Sequence, residues 1–68
     1  MVNYDEMRAA RVKARLTQKQ MAEFIGVSEN TYNSKESGKS PIDVSEAVLF
    51  CSAVGITDPA EKALIFLA

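Results

Sequence analysis

Apolar side chains in this chain recur at three- and four-residue intervals, the period of a helix face, with no sustained two-residue alternation to suggest a strand. Met7, Ala10 and Ala14, with Leu16 beyond them, make a first stripe, and Met21, Ala22 and Ile25 a second. Val44, Ala47, Val48, Cys51 and Val54 make a longer one, and Ala63, Leu64, Phe66 and Leu67 the last. Helix punctuation stands between the stripes. Asn3-x-x-Glu6, Thr17-x-x-Gln20 and Asp43-x-x-Glu46 have capping-box spacing, in which two side chains three apart satisfy free backbone donors at a helix start. Ser28 can cap a helix of its own, and Asp58-Pro59-Ala60-Glu61 places a cap, a proline and a carboxylate at another start. Gly26, Gly38 and Gly55 act as stops. The pattern predicts an all-α fold of five helices, at about 4–15, 18–25, 29–37, 44–54 and 59–67, packed on one core as a single domain over residues 1–68.

Composition narrows the chemistry. The chain has no histidine and one cysteine, Cys51, which excludes an internal disulfide and any histidine-based acid–base or metal site. Cys51 falls on an apolar stripe and reads as a core residue. The three glycines stand alone as helix ends and form no phosphate-cradling loop. Neither catalysis nor a cofactor or metal is expected. No apolar run approaches the ~20 residues of a membrane span, and the first residues lack a signal-peptide pattern, so a cytoplasmic location is expected.

The net charge of −1 argues against a nucleic-acid partner until its distribution is considered. Residues 1–40 hold seven basic side chains (Arg8, Arg11, Lys13, Arg15, Lys19, Lys35, Lys39) against five acidic ones. Residues 41–68 hold Lys62 against four acids. Phosphate attraction follows the local field, so the N-terminal half is the candidate contact surface.

The segment from Thr17 to Lys39 is the most informative. Ala22 offers a small contact, Gly26 permits the positive φ of a tight turn, Val27 plugs the corner, and Tyr32 points back to the core. Glu29, Asn30, Asn33 and Ser34 then form an exposed polar set, with Thr31 and Lys35 at its margins. Short donors and acceptors on a rigid helix suit base edges in a major groove, and equally an ordinary solvated face.

The pattern Leu16-Thr17-Gln18-x-x-Met21-Ala22-x-x-Ile25-Gly26-Val27-Ser28-x-x-Thr31-Tyr32-x-x-x-Glu36-x-Gly38 resembles the phage-repressor and Cro-like helix-turn-helix family. That resemblance implies a compact lambda-repressor-like domain and a transcriptional regulator binding double-stranded DNA through residues 28–37, with the helix-turn-helix at helices 2 and 3. By position it implies a DNA-contacting set of Thr17, Gln18, Lys19, Ser28, Glu29, Asn30, Thr31, Asn33, Ser34, Lys35, Lys39 and Ser40. Within that set Gln18 would bond a phosphate, and Lys39 and Ser40 would meet the backbone. Arg11 and Glu36 match a structural pair that pins the recognition helix.

Three residues depart from the family's pattern. Lys35 stands where many relatives are apolar, and is either a phosphate contact or a lysine lying over the core. Glu29 either accepts from a cytosine amino group or simply favours a helix N-terminus. Phe24 covers a gap beside the first helix or marks an exposed contact.

The run from Ala63 to Ala68 is apolar on more than one face, so Ile65 and Leu67 are candidate homodimer contacts, or equally the run simply closes the small core. The expected function is therefore a sequence-specific phage or prophage repressor acting as a homodimer. The alternative is a protein-interaction module on the same fold, antirepressor-like or antitoxin-like, to which the acidic C-terminal half and the apolar end would suit a protein partner.

Overall fold

A computed structural model of the chain describes residues 1–67; Ala68, the last residue of the apolar C-terminal run, lies outside them. Five α-helices follow in order: α1 (Tyr4–Lys13), α2 (Gln18–Ile25), α3 (Glu29–Glu36), α4 (Val44–Val54) and α5 (Pro59–Phe66). There is no strand among the described residues.

Each helix starts on a side chain that accepts from a free backbone N–H: Asn3, Thr17, Ser28, Asp43 and Asp58. At Thr17 and Asp43 the capping box closes in both directions, with Gln20 and Glu46 returning a bond to the cap's own N–H. α1 ends at Lys13, short of Arg15, because Arg15 itself takes the left-handed conformation (φ 61°) that turns the chain toward α2. Gly26 ends α2 with φ 89° and has nothing within 4 Å of a would-be Cβ, so its requirement is conformational.

Every helix contributes to the buried core. Met7 comes from α1, Met21 and Ala22 from α2, Tyr32 from α3, Phe50 and Cys51 from α4, and Ile65 from α5. Phe50 and Phe66 meet edge to face, with centroids 5.8 Å apart. The N-terminal strap is tied to α5 by the Asn3 N–H, which donates to the Ile65 carbonyl at 2.6 Å.

Two apolar runs are oriented differently from their sequence stripes. On α4, Phe50 and Cys51 face inward, whereas Val44 and Val48 are exposed. The helix is apolar on more than one side, so its period alone does not select the buried face. On α5, Ile65 is 3 % exposed and Leu67 77 % exposed. Ile65 fills the protein's own core, which withdraws it as a dimer contact; Leu67 remains at the surface.

Candidate nucleic-acid interface

α2 and α3 pack against each other across the turn Gly26-Val27-Ser28. The Gly26 and Val27 N–H groups both donate to the Ala22 carbonyl, at 2.8 and 3.0 Å, which closes the turn without a longer loop. On its inner side α3 buries Tyr32 and Glu36. Outward it exposes Glu29, Asn30, Thr31 and Asn33, with Ser34 half-buried.

The buried end of α3 is held by charge. Arg11 of α1 donates from Nε to Glu36 Oε2 at 2.8 Å and from Nη2 to Oε1 at 3.1 Å. Its Nη1 donates to the Leu16 carbonyl at 2.7 Å, so one guanidinium ties α1 to both the α1–α2 turn and α3. The Tyr32 hydroxyl adds a bond to Glu36 Oε2 at 2.6 Å.

Burial alone would raise the Glu36 pKa. The bonds from Arg11, Tyr32 and Gln18 and the Arg11 charge outweigh it and hold its pKa below the usual carboxylate range. Its bond to Glu36 is the main reason that Arg11 lies above its ordinary value. Burial, then the neighbouring carboxylate, pushes the Tyr32 phenol well up, so it stays a donor.

The same carboxylate organises the outer face. Gln18 Nε2 donates to Glu36 Oε1 at 3.4 Å, and Asn33 Nδ2 donates to Gln18 Oε1 at 3.0 Å. Gln18 is thus half-buried between the two helices. The α2 cap engages the N–H groups of Thr17 and Gln20 but leaves those of Gln18 and Lys19 without a partner among the described residues. No acidic residue occupies the first turn of α2, so the positive end of the helix is open to an anion.

Other expected residues divide clearly. Lys19 and Lys39 are exposed, and Ser40 is half-buried with its N–H on the Ser34 carbonyl at 3.2 Å. The Ser28 hydroxyl accepts from the Thr31 N–H at 3.1 Å and donates to the Thr31 hydroxyl at 2.9 Å, so both side chains serve the α3 cap.

Lys35 matches neither expectation in full. Its ammonium meets Glu46 Oε1 at 3.0 Å and the Pro41 carbonyl at 2.9 Å, and both side chains of the pair are largely covered. It staples α3 to the start of α4 rather than reaching out beside the polar face. Phe24 is 54 % exposed and is not among the side chains packed against the core.

The structure adds residues that the sequence pattern did not single out. Tyr4, Arg8 and Ser37 line a shallow polar depression of about 300 Å³ alongside Gln18 and Asn33. Arg8 precedes Arg11 by three residues and so shares its helix face, a signal present in the spacing. Tyr4 reaches this edge because Gly38, at φ 84°, lets the loop after α3 lie on its ring; a Cβ there would stand 3.0 Å from Tyr4 Cε2.

A family model described as helix-turn-helix matches residues 7–62, from the first buried residue of α1 into α5. The chain belongs to this helix-turn-helix family, of the Cro and C1 type. It is a family of DNA-binding transcription regulators, and α2 and α3 are its helix-turn-helix. No curated protein and no solved structure matches the chain. The helix-turn-helix frame is the Arg11–Glu36–Tyr32 cluster with the Gly26 turn, and its open side carries Glu29, Asn30 and Asn33 beside the free N-terminus of α2.

Proposed function

We propose that this protein is a sequence-specific repressor of phage or prophage type, binding a two-fold operator as a homodimer with α3 in the major groove. The observation that carries the reading is the exposed polar edge of a helix whose other side is clamped by a buried ion pair. A rigid platform gives base-edge contacts their discrimination, since a mobile helix would average over several registers. The free N–H groups of Gln18 and Lys19, with Lys39 beyond α3, supply phosphate contacts on either side of that edge. Lys35, engaged by Glu46, is left out of this contact set.

Selection from random duplexes tests the reading. A palindromic consensus is expected, with half-sites about one helical turn apart. Affinity should fall linearly on a log scale with salt, and Lys39→Ala should weaken binding to all duplexes alike while lowering that slope by about 1. Enrichment of no sequence over any other would sink the proposal.

A second reading, a protein-interaction module of antirepressor or antitoxin kind, draws on the exposed Val44, Val48 and Leu67. A stoichiometric protein partner that binds the Asn30→Ala variant as well as the wild type, together with no DNA consensus, would favour it.

A further inference from the structure

The chain of hydrogen bonds from the core to the surface fixes more than the position of α3. Glu36 is 5 % exposed and bonded to Arg11 and Tyr32, and as a carboxylate it can only accept. The Gln18 atom that faces it must therefore be the amide nitrogen, and Gln18 Oε1 must point the other way. An amide oxygen can only accept, so the Asn33 atom that meets it must be Nδ2. The charge of a buried carboxylate thus sets, through one intervening side chain, which end of the exposed Asn33 amide points where.

With that polarity set, Asn33 has one amide hydrogen engaged by Gln18 and one free, while its Oδ1 accepts nothing from the described residues. A free acceptor and a free donor on one planar group match the edge that adenine presents in the major groove, where N6 donates and N7 accepts. Guanine offers two acceptors there and cytosine a donor alone, so neither satisfies both atoms of the amide.

We infer that Asn33 selects an adenine in the operator half-site, and that Gln18 acts as the positioning residue holding its amide in the adenine-reading orientation. The inference rests on the operator-binding reading above and assigns one base within it. Glu29, one turn earlier on the same face, has no such tether among the described residues.

The test is binding of the full chain to its selected duplex and to duplexes carrying each alternative base at every half-site position. Asn33→Ala should abolish an adenine preference of about tenfold at one position and leave the others intact. Replacing that adenine by 7-deazaadenine, which lacks the N7 acceptor, should weaken the wild type several-fold and leave Asn33→Ala unaffected. Gln18→Leu, which removes the tether while keeping an aliphatic stem, should lower the adenine preference with little change at the other positions. Asn33 is exposed, so its variant should keep the wild-type melting curve, and that curve is measured alongside.

A consensus in which no adenine depends on Asn33 overturns the inference and leaves the operator reading standing. Equal adenine preference in wild type and Gln18→Leu overturns the positioning role. Absence of any consensus overturns both the operator reading and this inference.

Discussion

Glu36 is the residue on which the site turns, because its carboxylate is buried and four side-chain bonds converge on it. Its pKa is depressed in the folded chain, so its contribution to stability is present above the unfolded value of about 4.3 and is lost as pH falls through the folded value. Arg11→Met should reverse that dependence. Without the guanidinium, burial raises the Glu36 pKa, and the variant regains stability on acidification as the stranded charge is neutralised. At about pH 7, Arg11→Met is expected to lose roughly 3–5 kcal/mol, the typical result of removing one partner of a buried pair. Urea unfolding at about pH 7 and about pH 4 checks this, with the gap between wild type and variant narrowing at the lower pH. A gap that stays constant would mean that Glu36 does not titrate against Arg11.

At the scale of the elements, the sequence announces helix starts more clearly than helix partners. Each of the five caps is a short polar side chain that bonds locally, within three residues, so it is legible in the chain itself. The end of α1 is not, since its left-handed residue is Arg15 rather than a glycine. The staple between Lys35 and Glu46 joins residues eleven apart on different helices, and nothing periodic marks it.

Glu46 serves two structures with one oxygen, accepting from the Asp43 N–H at 3.1 Å to close the capping box and from Lys35 at 3.0 Å. The two roles should separate by substitution. Glu46→Gln keeps an acceptor for the capping box and loses only the charge, whereas Glu46→Ala loses both. Thermal unfolding should place the cost of Glu46→Ala at about 1–2 kcal/mol, with Glu46→Gln at less than half of that. Equal losses would indicate that the ion pair alone matters.

For the whole molecule, the uneven charge of the two halves and the uneven burial of the last two helices point in one direction. The basic surplus and the polar edge of α3 lie in the first forty residues, while the later part has an acidic balance, four acids against Lys62, and exposes the apolar side chains Val44, Val48, Leu64 and Leu67. Val44, Val48, Ala63, Phe66 and Leu67, with Val2 from the N-terminal strap, line one apolar groove between α4 and α5. The sequence pointed to this end of the chain for self-association but named Ile65 together with Leu67, because an unbroken apolar run from Ala63 to Leu67 does not reveal which residues the core takes. With Ile65 inside, the proposed homodimer would use the groove around Val48 and Leu67.

Val48→Asp places a charge on that face at a position 62 % exposed, so the isolated fold should tolerate it. In sedimentation equilibrium the wild type should rise from monomer to dimer mass across the micromolar range, and the variant should stay at monomer mass. On DNA, the variant should bind a single half-site as well as the wild type does and lose its advantage on the two-fold site, because only the coupling between protomers has been removed. A wild type that remains monomeric at all concentrations, or a Val48→Asp variant that still dimerises, would remove this face from the account of operator binding and leave the reading edge of α3 to act on its own.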